Sequence, residues 1–179
     1  QRPRHLGAGE DLMITRDTVR MLARYNAWQN SQMLASMEHL SIEELLLDRG
    51  AFFRSILGTA NHLLWGDAMW MHRFDHGPKP DIGIHDSPST NPTLATWSAA
   101  RFRMDGRIRL WADKVPSVAL AGDRTFFSSV LNREVTKPVA PMVLHMFNHQ
   151  THHRGQIHAM LTAAGVGAPV SDLFFMPEE

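Results

Sequence analysis

The stretch from Pro138 to Gly165, P-V-A-P-M-V-L-H-M-F-N-H-Q-T-H-H-R-G-Q-I-H-A-M-L-T-A-A-G, constrains the fold most. It holds five of the chain's eleven histidines: His145, His149, His152, His153 and His158. Proline suits the first turn of a helix, where its missing N–H goes unmissed, and glycine suits the position just past the end. The pattern predicts one long helix, entered near Pro138 and closed near Gly165. Each residue of such a helix turns by about 100° and rises by about 1.5 Å. His149 and His153 then lie about 40° apart, one turn up, pointing the same way. Pro138, Met142, Met146, Gln156, Ile157 and Met160 share that face, which should look into the core. Two imidazoles at i, i+4 can grip a single metal ion. Burying polar rings unpaired among methionines is unfavourable, so the pair needs partners. A hydrogen-bonded core histidine would meet the same need. His145–His149 has the same spacing as His149–His153, so periodicity leaves the choice of pair open.

At 179 residues the chain is long enough for a full core without covalent staples. Residues 13–179 are expected to form a single domain. The preceding Gln1–Leu12, polar and marked by Gly and Pro, are expected to be a leader or disordered extension. The 18 basic residues balance the 18 acidic ones, which argues against a nucleic-acid or membrane-surface partner. With no cysteine, disulfides, thiolate metal sites and a cysteine nucleophile are excluded. Any thiol chemistry must bring its sulfur from outside. No apolar run approaches a membrane span and no signal-peptide core is evident, so the expected location is cytoplasmic.

Read in order, Thr15 to Glu38 is helical, with Val19, Leu22, Asn26, Met33 and Met37 on one side and Met21, Tyr25 and Trp28 on an adjacent stripe. Ser41-Ile-Glu-Glu reads as a capping box. The second long helix runs from about Phe52 to Phe74, with His62 at its centre. Gly58 and Gly66, one turn either side, weaken the helix and would leave space beside the imidazole. Leu57, Ala60, Leu64, Ala68 and Met71 cover the opposite side, so both faces should be buried. His76 to Pro92 is a long Gly/Pro/Asp/Ser loop, a candidate rim or lid. Helix three spans Thr93 to Val115 on a stripe of Leu94, Trp97, Met104, Ile108, Trp111 and Val115. Its arginines, Arg101, Arg103, Arg107 and Arg109, read as a solvated surface. Thr125–Val130 and Arg133–Thr136 predict a small β-hairpin. The tail, G-V-G-A-P-V-S-D-L-F-F-M, should fold back and cap the bundle.

The expected fold is all-α: a four-helix bundle with a small β-hairpin between helices three and four. Inward histidines on helices two and four can meet in its core. His62, His149 and His153 would supply three neutral nitrogens and leave a position open, the arrangement of a catalytic metal site. H-Q-T-H-H has the spacing of a zinc-protease helix, but Gln150 replaces the general-base glutamate and cannot take a proton. Di-iron bundles need Glu-x-x-His pairs, and none occurs. A haem held by His and Met has no supporting spacing.

N-H-Q-T-H-H-R-G-Q (Asn148 to Gln156), with N-H-L-L-W-G-D (Asn61 to Asp67) upstream, resembles the DinB/YfiT-like metalloenzyme family. Y-N-A-W-Q-N (Tyr25 to Asn30) and the D-L-F-F-M-P tail are similar to family features too. The resemblance covers about Met13 to the C-terminus. It implies a four-helix bundle, commonly dimeric, with one divalent metal, zinc or nickel, on His62, His149 and His153. His145 and His152 are then neighbours of the ligands or pocket residues; Trp65, Met69, Met142 and Met146 are expected to line the pocket, and Trp65, Met69, His145 and His152 to meet a bound cofactor. Arg154 projects about 140° away from His149, which makes it a structural or interface residue. Some members of the family are transferases or isomerases that use a low-molecular-weight thiol, so the expected function is thiol-dependent transfer to a small electrophile. The alternatives are a metal-dependent hydrolase and a non-enzymatic metal-binding stress protein. Individual catalytic residues stay unassigned. A homodimer is expected from a second apolar stripe on helix four, Val143, Leu144, Phe147 and Leu161, which needs cover.

Overall fold

The computed structural model describes residues 13–128 and 131–178; the Gln1–Leu12 extension and the expected strand residues Ser129 and Val130 lie outside them. In chain order come α1 (Arg16–Met37), α2 (Ile42–Leu46), α3 (Ile56–Asp75), α4 (Leu94–Lys114), α5 (Ser117–Ala121), β1 (Asp123–Ser128), β2 (Arg133–Pro138) and α6 (Val139–Ala163). Four long helices form a bundle, and one antiparallel hairpin, pairing Asp123 with Pro138 through Ser128 with Arg133, joins the third to the fourth. Among the described residues, no helix is long and apolar enough to cross a membrane.

Side-chain caps set where the helices begin. Thr15 accepts from the Thr18 amide, Thr93 from the Thr96 amide, and Ser41 forms the reciprocal capping box with Glu44. The second long helix begins at Ile56, later than periodicity predicts, because Ser55 caps it through the Gly58 amide. Arg54 just before has φ of 67°, which breaks the helical path and puts Phe52 and Phe53 in a turn. Pro138 is not in the first turn of α6: it ends β2 in extended geometry and hands the chain directly to Val139. Gly165, at φ of 78°, closes α6 in the left-handed conformation that glycine adopts freely.

The apolar core has two parts. Val19, Met71, Ile108, Val143 and Met146 anchor one, and Met37, Leu57, Trp97, Ile157 and Leu161 anchor the other. Between those two sets, each long helix contributes polar side chains that are buried or nearly so. Asp67 of α3 receives Arg101 Nη1 at 2.6 Å and Gln150 Nε2 at 2.9 Å. Arg101 also pairs with Asp105 at 2.8 Å, and Asn30 Nδ2 donates to Asp105 at 2.9 Å. Arg154 Nη1 donates to Asn26 Oδ1, which ties α6 to α1.

This network corrects the reading of Arg101, which is only 3% exposed rather than solvated. A buried guanidinium is tolerable here because two carboxylates face it. Arg107 is likewise half-buried and paired with Asp75, whereas Arg103 and Arg109 are exposed. The stripe of α6 also has its cover within one chain. Val143 and Phe147 pack in the cluster that holds Val19 and Ala23 of α1, and Leu161 packs in that of Met33 and Met37. The tail does not cap the bundle but straps α1: Gln29 Nε2 donates to the Val170 carbonyl at 2.7 Å and Arg24 Nη2 to that of Pro177 at 3.0 Å. Leu173, Phe174 and Phe175 stay exposed.

Candidate metal centre

α3 packs against α6, which brings His62 to the i, i+4 pair of α6. His62, His149 and His153 each offer a ring nitrogen, and these atoms all lie within 4.8 Å of one another. His62 Nε2 stands 3.4 Å from His149 Nε2. Two imidazole nitrogens bound to one ion at about 2.0–2.1 Å with a tetrahedral angle stand about 3.3 Å apart. The observed spacing suits that. His149 Nδ1, the nitrogen turned away from His62, is buried without a hydrogen-bond partner. His145–His149, the rival pair of equal spacing, does not close on His62: His145 is exposed, its ring centroid 6.1 Å from that of His149.

Burial is the main cause that lowers the pKa of all three histidines. His62 falls to about 4 through burial and the nearby His153. His149 falls to about 3 through burial, then His153, His62, His145 and His152. His153 is lowered by burial, against a raising hydrogen bond to Gln156. All three rings are therefore neutral at pH 7, the state in which a nitrogen lone pair can bind a cation.

The glycines flanking His62 do not leave open space. A methyl group at Gly66 would stand 2.7 Å from His149 Cε1, so the missing side chain is filled by the His149 ring. At Gly58 the same atom would meet the Phe53 carbonyl at 2.6 Å, so this glycine admits the turn before α3. That turn lays Phe53 flat on His62, ring centroids 3.7 Å apart and planes within 17°.

Trp65 stacks at 5.7 Å from His62 on the other contact, its indole N–H donating to the Ile82 carbonyl. Met69 is half-buried, two turns along α3 from His62. His152 is exposed with its ring 4.9 Å from that of His153, and His145 lies 5.0 Å from Trp70. Met142 and Met146 are sealed in the apolar core with Met71 and Phe74 rather than lining an open pocket. Sequence reasoning missed Phe53 and Ser87, whose Oγ lies 3.0 Å from His62 Nδ1. Phe53 sits in a turn and Ser87 opens a single 3₁₀ turn within the long loop, where periodicity carries no information about which side chain meets which helix.

Fold and site together define a class: a four-helix bundle with a three-histidine cluster, able to hold a metal ion, across two packed helices. The model of the DinB family matches residues 13–179, and the chain belongs to that family. Among solved structures, a DinB-like protein from Bacillus cereus superposes with a TM-score of 0.66 over 86% of this chain and 95% of that one, at 14% identity. That likeness shows the fold. No curated protein matches the sequence.

Proposed function

We propose that the protein binds one divalent cation, zinc or nickel, through His62, His149 and His153, and uses it to transfer a low-molecular-weight thiol to a small electrophile. The observation that carries this reading is the donor set: three neutral imidazoles converge with no carboxylate among them. Such a set holds an ion without cancelling its charge. The ion, when bound, supplies Lewis acidity that lowers the pKa of a thiol or water taking the remaining position.

The chain's own residues explain why the nucleophile must come from outside. There is no cysteine. Asp67, the nearest acid on α3, is wholly buried and committed to Arg101 and Gln150, so it cannot serve as a base at the site. Gln150 is neutral at every pH. Phe53 and Trp65 put aromatic surface beside His62, which suits a small apolar electrophile better than a charged polymer. We place this activity in the cytoplasm, with no nucleic-acid or membrane partner, in keeping with the balanced charge.

One observation favours a second reading, a metal binder without catalysis. The space about His62 is taken by Phe53 and by the His149 ring over Gly66, which leaves less room for substrate than the glycines suggest. Cobalt loading followed by titration with several small thiols separates the two. A sulfur-to-metal charge-transfer band, with conjugation of a generic electrophile that His153→Ala abolishes, supports the transferase. A spectrum that no thiol perturbs removes it, and ester hydrolysis then separates hydrolase from plain binder.

A further inference from the structure

Two of the three histidines have their second ring nitrogen tied, and the direction of each tie can be read. Ser87 Oγ donates its one proton to the Ile84 carbonyl at 2.7 Å. Toward His62 Nδ1, 3.0 Å away, it can therefore only accept. His62 is then the Nδ1–H tautomer, with its lone pair on Nε2, the nitrogen that faces His149. Gln156 Oε1 has no hydrogen to give, so His153 Nδ1 must donate to it at 2.8 Å. The Gln156 amide nitrogen stands 3.4 Å from His152 Nε2, which is consistent with the amide standing this way round. His153 thus also keeps its lone pair on Nε2. His149 Nδ1 has no such partner.

From this asymmetry we infer that Ser87 and Gln156 are positioning residues: they hold His62 and His153 with the lone pair on Nε2, ready for an ion, whereas His149 has no such tie at Nδ1. The inference rests on the metal-binding reading of the site. A histidine tied at one nitrogen presents the other in a fixed tautomer and orientation, which spares the ion the work of selecting it.

Ser87 is itself held in place from α3. Asn61 Nδ2 donates to the carbonyls of Pro88 and Asn91, both at 3.0 Å, and Asn91 Nδ2 returns a bond to Asn61 Oδ1 at 3.0 Å. Trp65 fastens the chain again at Ile82. Residues 82–91 are therefore bound to the helix on either side of His62. The long loop is a strap that carries a partner for His62, not a lid. Sequence N-H-x-x-W on α3 reads in this light as strap, ligand, strap.

Two measurements on the full chain test the assignment. The first is the long-range proton–nitrogen spectrum of the imidazoles in metal-free protein. The second is zinc affinity by chelator competition. The unsubstituted protein should show His62 and His153 as Nδ1–H tautomers. Gln156→Leu, which removes the acceptor while keeping the bulk, should release the His153 tautomer and weaken zinc by about 10–100-fold. Gln156→Glu, which keeps an oxygen there, should restore binding to within a few-fold of the original. Ser87→Ala should act on His62 in the same way. Because Ser87 is fully buried and its loss could unfold the strap, the half-buried Gln156 pair is sufficient by itself. Nε2–H tautomers at both rings, or Gln156→Leu binding zinc as tightly as the original, would overturn the assignment. Should the unsubstituted protein take up no zinc, the metal reading fails, and the tautomer spectrum still decides the positioning claim separately.

Discussion

The three ring nitrogens are neutral because burial makes them so, and this moves the acid limit of the site. A free imidazole titrates at 6.5, whereas His62 and His149 are pushed down to about 4 and about 3. As pH falls below 6.5, the unfolded chain takes up protons that the folded one refuses. The stability these groups contribute to the metal-free protein is therefore full above that value and lost progressively toward pH 4. Burial lowers His153 as well, so zinc occupancy should hold from about pH 7 through about pH 6.5, where a free imidazole would be half protonated. Equilibrium dialysis across that range checks it; a half-loss at pH 6.5 would mean solvent-like rings. Gly66 gives a second expectation at this scale. Ala in its place favours the helix by about 1 kcal/mol, but its methyl would press on the His149 ring. Gly66→Ala should weaken metal binding by more than tenfold while secondary structure by circular dichroism stays unchanged.

Between the two apolar clusters, a single buried network joins the four long helices: Asn26 and Asn30 on α1, Asp67 on α3, Arg101 and Asp105 on α4, Gln150 and Arg154 on α6. Removing one partner of a buried ion pair costs about 3–5 kcal/mol; without Asp67, Arg101 keeps only Asp105 and Gln150 Nε2 loses its acceptor. Asp67→Ala should show a loss of that size in chemical denaturation; a loss below about 1 kcal/mol would place the network outside the core. The elements themselves were legible, because capping residues such as Ser41 and Thr93 and the 3.6-residue apolar period state where helices run. His62 and the α6 pair were legible for the same reason: regular helices carry a side chain's direction in its register. Arg101 was misread because a charge on a helix is solvated by default, and its carboxylate partners lie 34 residues upstream and one turn downstream. Phe53 and Ser87 were invisible, since their contacts with His62 depend on the turn at Arg54 and the strap at Asn61.

At the scale of the molecule, membership of the DinB family and the bundle agree with the sequence expectation, while the motive for a dimer has shifted. The apolar stripe of α6 is covered by α1 within one chain. We keep the homodimer as a proposal on a different surface, α4, where Phe102 is 81% exposed and Leu110, about two turns further on, is exposed as well. Light scattering at micromolar concentration should give twice the chain mass, and Phe102→Asp should return it to one; a monomer throughout the range removes the dimer. The central claim is the metal centre, and it is tested most directly by elemental analysis of purified protein and its His62→Ala variant under limiting zinc. One equivalent of metal per chain is predicted for the original protein, with affinity reduced at least a hundredfold in the variant while the helical signal is kept. Full stoichiometry and unchanged affinity in His62→Ala would contradict the account.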